Sequence, residues 1–294
     1  MVIGQDRFSV RVVEGRGTHK AIENSGGSTE AAVCIAPPPQ MMIAAAMSPP
    51  PAVNELEIAN KLAPMPLTRC LTNSIMVPAA TEIVLEGRFT GETADEGPFV
   101  DLTCTRDGVR KQPVFQVEAI TTREDAVYEA LLPGKAEHKT LMGLPREADI
   151  FRAVSRKCNC LDVRITRGGC SWLHAVVQID KKKENDPKNA IESAFIAHPS
   201  LKTCIVVDKD VNPDDHMDVE WALATRFQAD RDAIIMSNKP SSSLDPSAKY
   251  EPGKKAVGSK LGMDATIKGD DPDKFKRVSF PTIDPQKLKE LLNG

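Results

Sequence analysis

Short β-like runs dominate the first half of this chain, and strand-like and helix-like runs alternate after residue 150. Phe8-Ser9-Val10-Arg11-Val12-Val13 alternates apolar and polar residues, as a half-buried strand does. Residues 31–36 form a short apolar run. Ile75-Met76-Val77, Glu82-Ile83-Val84-Leu85-Glu86 and Val114-Phe115-Gln116-Val117 follow, punctuated by Gly and Pro. This texture predicts an antiparallel sheet or barrel. After residue 150, strands are predicted over 161–165, 175–179, 203–207 and 233–236. Helices are predicted over 186–197, with Asp186 as cap and Pro187 at its first position, over 218–226 and over 285–292. That order predicts a partly parallel sheet. The fold class is therefore α/β (mixed α+β), with one unit over residues 1–145 and a second over 146–294. Residues 132–149 are rich in Gly, Pro and Lys and read as a connection. Residues 237–273 read as a long irregular segment of the functional or disordered kind.

Two proline triplets, Pro37-Pro38-Pro39 and Pro49-Pro50-Pro51, bracket residues 41–47, which predicts a short helix starting near Pro39. Asn54 then precedes Glu55-Leu56-Glu57-Ile58-Ala59-Asn60-Lys61-Leu62. Asn caps a helix, acids suit its first turn and Lys61 its last.

Composition removes several function classes. Lys plus Arg number 38 against 41 Asp plus Glu, a net charge of -3, and aromatic residues are 4%. Neither a basic nucleic-acid surface nor a base-stacking platform follows from this. No apolar run reaches the ~18 residues of a membrane span. Met1-Val2-Ile3-Gly4-Gln5-Asp6 lacks the regions of a signal peptide. Seven cysteines at irregular spacing, with five histidines in no zinc pattern, fit free thiols in the cytoplasm. Cys158-Asn159-Cys160 reads as two small apolar residues in or near a strand.

The densest chemistry lies in Asp95-Glu96-Gly97-Pro98-Phe99-Val100-Asp101, where Glu96 and Asp101 flank a Gly-Pro turn with an aromatic residue inside it. Paired carboxylates beside an apolar wall can separate their pKa values, so that one serves as a general acid. An acidic surface turn after a strand has the same composition. His198-Pro199-Ser200-Leu201-Lys202 and Asp208-Lys209-Asp210 flank an apolar strand, and loop capping accounts for them. Gly258-Ser259-Lys260-Leu261-Gly262 reads as a flexible basic loop, able to hold an anion or simply solvated. Gly168-Gly169-Cys170-Ser171 carries no nucleophile elbow.

Taken in order, Asn54-Glu55-Leu56-Glu57-Ile58-Ala59, Val77-Pro78-Ala79-Ala80-Thr81-Glu82-Ile83-Val84-Leu85-Glu86-Gly87, Glu96-Gly97-Pro98-Phe99, Glu220-Trp221-Ala222 and Ser259-Lys260-Leu261-Gly262-Met263-Asp264-Ala265-Thr266 resemble the UbiD-like decarboxylases. The resemblance implies a split β-barrel flavin-binding domain followed by an α/β domain that supports oligomerisation, as a dimer or hexamer. It implies prenylated flavin mononucleotide (prFMN, prenylated FMN), with Mn2+ and K+ at its phosphate and a flavin prenyltransferase as supplier. The implied reaction is reversible, non-oxidative decarboxylation of an α,β-unsaturated or aromatic carboxylic acid. The cofactor performs the difficult step, and the protein supplies position and protons.

By position, the resemblance makes Glu96 the first carboxylate of the active-site network and Asp101 the proton donor. It makes Glu55 a metal ligand, Lys260 a phosphate contact and Met47 part of the flavin-lining loop. The family's metal-binding His falls near Gly17, so His19 would serve only with a register shift of two. Family members also carry a further N-terminal domain, ending in a segment with a metal-binding Asn and an Arg that pairs with the carboxylates. This sequence begins just past that Arg and offers no substitute for either residue. The resemblance therefore implies an N-terminally shortened member. Two readings follow: a working decarboxylase, or a shortened, non-catalytic or partner-dependent member that folds and oligomerises without binding cofactor. Pro37-Pro38-Pro39 and Cys104 also stand where the family favours glycine.

Overall fold

A computed structural model describes residues 1–47, 49, 53–251, 254–269, 271–278 and 284–293. The second proline triplet lies mostly outside them. In the first half, strands β1 (Arg7–Ser9) and β2 (Ser28–Ile35) enclose helix α1 (Gly17–Asn24). Helices α2 (Pro39–Met47) and α3 (Glu55–Leu62) follow, then the small hairpin β3 (Leu67–Arg69) and β4 (Met76–Pro78). Two long strands, β5 (Ile83–Glu96) and β6 (Arg110–Thr122), complete this half. They form an antiparallel sheet of order β1-β6-β5-β2. The short helix over residues 41–47 is present, beginning at Pro39. Asn54 caps α3 by accepting from the Leu56 amide at 2.9 Å.

The second half begins with helix α4 (Ala136–Ser155) and continues through β7 (Cys160–Ile165), β8 (His174–Ile179), α5 (Asp186–Ala197) and β9 (Thr203–Asp208). Helices α6 (His216–Arg226) and α7 (Ala229–Asp232), strands β10 (Ala233–Pro240) and β11 (Val257–Ala265), and helix α8 (Pro285–Asn293) close the chain. The sheet order is β10-β11-β9-β8-β7. Strands β8, β9 and β11 are parallel, and β7 and β10 add antiparallel edges. Ala175, Val176 and Val177 are buried in succession, as central strands covered on both faces require. Helices α4 and α5 cover one face around Ile150, Val154, Ile191 and Ala194. Helix α6 covers the other through Val219 and Ala222. No described helix is long and apolar enough to cross a membrane.

Three local expectations change. Residues 132–149 are not a simple connection, because α4 runs through most of them despite Gly143 and Pro145. Gly143 is needed there: a Cβ would meet the Ser171 carbonyl oxygen at 2.8 Å. A proline mid-helix removes one backbone bond, and burial of Ile150 and Val154 on the sheet offsets the loss. The expected basic loop around Lys260 is the interior strand β11. Its polar composition hid a strand whose Gly262 lets Ile191 pack 2.4 Å from where a Cβ would stand. Asp186 is the first residue of α5, with Asn185 at the cap. Its carboxylate accepts from the Lys182 and Lys183 amides, both at 2.9 Å.

Glycine has a similar role in the first sheet. At Gly87, beside a register shift in the β5–β6 ladder, a Cβ would lie 1.9 Å from the Gln116 carbonyl oxygen. Gly87→Ala is expected to lower unfolding free energy by about 3 kcal/mol, read from urea denaturation; a loss under about 1 kcal/mol would show that the ladder yields locally.

Candidate functional site

The two predicted carboxylates sit at the tip of the β5–β6 hairpin. Glu96 is the last residue of β5, buried, and opposite Arg110 in the ladder. The connecting loop over residues 97–109 is well tied down. The Asp101 amide donates to Thr105 O at 3.1 Å, Cys104 N to Asp101 O at 2.8 Å, and Asp107 N to Phe99 O at 2.8 Å. Leu102, fully buried, anchors the turn. Cys104 adopts φ 59°, the left-handed conformation that explains why glycine suits this position. The loop is thus an ordered platform, with Glu96 at its root and Asp101 in its first turn.

Asp101 is half-buried. Its Oδ1 accepts from the Leu102 amide at 2.7 Å, and its Oδ2 lies 3.5 Å from the Arg11 guanidinium. Arg11 also pairs with Asp107, which Arg110 grips through both terminal nitrogens. Burial pushes the Asp107 carboxyl up, but hydrogen bonds from Arg110 and Arg11 prevail and hold it at about 2. Neither Arg11 nor Asp107 emerged from the sequence. Asp107 and Arg110 carry only a local i,i+3 charge signal, and Arg11 lies 96 residues from its partner.

The other predicted residues fall in separate places. Met47 ends α2, and its carbonyl accepts from Arg146 at 2.8 Å. Glu55 opens α3, half-buried. Beside these helices lies an apolar hollow of about 610 Å³, walled by Ile35, Met41, Met42, Leu56, Met76 and Leu141. That is within the ~300–1,000 Å³ of ligand pockets. His19 lies on α1, its Nδ1 3.1 Å from Glu23. Among the described residues no three His, Cys, Asp or Glu side chains converge as a metal site, so Glu55 and His19 do not by themselves make a metal centre.

Lys260 lies in the second unit. Its ammonium donates to the Pro199 and Leu201 carbonyls and faces Phe195 at 5.1 Å. Burial pulls it down to about 8.

The residues read as capping or packing groups also have structural partners. Arg226, buried, pairs with Asp208 and Asp210 at the end of β9. His198 binds the Trp172 carbonyl at 2.8 Å, and burial lowers it to about 4. Burial pushes Cys158 to about 11 and Cys160 to about 12, so these thiols stay protonated and inert near neutral pH.

With this geometry in place, comparison with known proteins decides the family. The model of the 3-octaprenyl-4-hydroxybenzoate carboxy-lyase Rift-related domain matches residues 1–136, and that of the C-terminal domain matches residues 139–265. The chain belongs to the UbiD-like family. Anhydromevalonate phosphate decarboxylase of Methanocaldococcus jannaschii is 42% identical over 290 residues, covering 96% of this chain and 67% of that protein. The UbiD-class enzyme HmfF from Pelotomaculum thermopropionicum, solved in complex with FMN, superposes with a TM-score of 0.91 at 36% identity, covering 99% of this chain and 66% of that one. An evolved dimeric form of HmfF in complex with prFMN gives a TM-score of 0.85 at 33% identity, covering 98% of this chain and 64% of that one. This UbiD-like chain thus spans about two thirds of the length of its relatives.

The clamp on Asp107 predicts a pH signature. Its folded-state value lies below the ordinary 3.8, so its stabilisation is complete above about pH 4 and fades as pH falls toward 2. Asp107→Asn should cost about 1 kcal/mol at pH 7, allowing for solvent screening, and should flatten the loss between pH 4 and 2 in urea titrations. An unchanged acid limb would remove the clamp from the stability of this loop.

Proposed function

We propose that this chain carries the proton-transfer carboxylates of a non-oxidative decarboxylase acting on an α,β-unsaturated or aromatic carboxylic acid. One observation supports this most: within a UbiD-like chain, Glu96 and Asp101 stand on one rigid hairpin tip, the first buried and the second held from two sides. Asp101, as proton donor, would return a proton to the carbon that has lost carbon dioxide. Glu96, buried at the root of the same turn, would pass protons to and from Asp101. General acids and bases placed this way typically contribute about 10²–10⁴-fold.

The prenylated flavin, when bound, supplies the electron sink for loss of carbon dioxide. The apolar hollow beside α2 and α3 offers a wall of suitable size for a ring system, with Met47 and Glu55 at the adjoining helix ends. Lys260 uses two donors on carbonyls, so its proposed contact with the cofactor phosphate rests on the remaining N–H. The donors present do not by themselves fit the Mn2+ and K+ that the resemblance implied, and no step is assigned to either ion. The anhydromevalonate phosphate decarboxylases among the relatives make a phosphorylated unsaturated acid the first substrate to test; a hydroxybenzoate-type acid is the second. That no three His, Cys, Asp or Glu side chains converge among the described residues also supports a partner-dependent reading, in which another polypeptide completes the site.

The test is expression beside a flavin prenyltransferase, followed by the absorption spectrum, native mass and carbon dioxide release from anhydromevalonate phosphate. A coloured oligomer that releases carbon dioxide is expected, with Asp101→Asn and Glu96→Gln each at least about 100-fold slower. A folded, colourless protein would overturn the stand-alone enzyme and leave the partner-dependent reading.

A further inference from the structure

Beyond its bond to Asp107, Arg11 reaches the proton-donor candidate from a distant part of the chain. We propose that Arg11 is a positioning residue that holds Asp101 in its working orientation; this rests on the decarboxylase reading above.

The geometry distinguishes Arg11 from an ordinary surface ion pair. Its backbone is fixed on both sides, because the Val10 amide donates to Pro113 O at 3.0 Å and the Val12 amide to Gln112 Oε1 at 2.8 Å. The guanidinium then meets two carboxylates at once. One, Asp107, already has a full partner in Arg110, which binds both of its oxygens. Arg11 is a second partner for Asp107, and that hydrogen bond fixes where the guanidinium sits. Asp101 has no other ion-pair partner among the described residues.

The hold on Asp101 is two-pointed. The Leu102 amide takes Oδ1 at 2.7 Å, and Arg11 faces Oδ2 at 3.5 Å. With one oxygen bound to the backbone of its own turn and the other facing a fixed cation, the carboxyl plane has little freedom to rotate. A proton donor displaced by a fraction of an ångström loses much of its effect, so the consequence of losing Arg11 should appear in turnover rather than in substrate binding. An exposed ion pair with no such role is worth only about 0–1 kcal/mol and is nearly silent in turnover.

The test combines kinetics with a measurement independent of cofactor. In the holoenzyme, Arg11→Ala is expected to lower kcat by about 30-fold or more with KM within about twofold, the pattern of an interaction that matters in the transition state. Arg11→Lys should recover only part of the loss, because an ammonium lacks the planar fork. Free guanidinium should partly restore Arg11→Ala. In an Asp101→Asn background, Arg11→Ala should change kcat by less than about twofold, since the two residues act as one unit. In the cofactor-free protein, Arg11→Ala should speed amide hydrogen exchange at Asp101, Cys104 and Asp107 without altering exchange in β8 and β9. Additive losses in the double variant, or unchanged exchange at those three amides, would overturn the proposal. If the unsubstituted protein proves inactive, the decarboxylase reading fails, and hydrogen exchange alone decides whether Arg11 orders the Asp101 turn.

Discussion

Strands β5 and β6 pair from Ile83 opposite Thr122 to Glu96 opposite Arg110, with register shifts at Glu86/Gly87 and Phe89/Thr93, and the rest of the first unit hangs on this ladder. Strand β2 pairs along one side and β1 along the other. The ladder admits no Cβ at Gly87, so its two strands approach more closely than ordinary side chains allow. Phe8, Phe89 and Phe115 pack together there, Phe115 tilted against Phe8 and edge-on to Phe89, with centroids 5.1 and 5.4 Å apart. A long, stiff hairpin places its tip reproducibly. The carboxylates at that tip inherit their position from the ladder, not from the loop alone.

Charge completes what packing begins. At the tip, two guanidinium groups converge on Asp107, and the loop between Glu96 and Arg110 is tied to Arg11, just past β1. Arg110 also faces Tyr250 at 6.0 Å, which links this cluster to the segment between β10 and β11. In the second unit, buried charges have partners within the fold. Arg226 ties α6 to the end of β9, and Lys260 bridges two carbonyls beneath Phe195. Arg226 meets two carboxylates of its own unit through its terminal nitrogens, whereas Asp101 keeps one oxygen toward a cation shared with another carboxylate. Such partly satisfied groups are characteristic of sites rather than cores.

Much of the architecture was legible because it rests on local signals. Periodicity located β5, β6, β8 and β9, and cap chemistry located α3. The ordered motifs located the family. Two elements escaped for one reason. Helix α4 contains Gly143 and Pro145, and β11 contains Gly258 and Gly262, residues that locally argue against helix and strand. In both, the glycine is present because another element packs against it, Ser171 on Gly143 and Ile191 on Gly262. Contacts made in space override propensities read along the chain.

The sequence by itself determined the mixed α/β class and the family, because each depends on residues close together or in fixed order. Only the tertiary structure decided that Lys260 lies in a strand with its ammonium on two carbonyls. Only it decided that Arg11 meets Asp101 and Asp107. Those facts depend on which side chains converge after the β1–β6 and β9–β11 pairings form. Residues 96 positions apart become neighbours only when a sheet closes between them, and nothing in their spacing announces it.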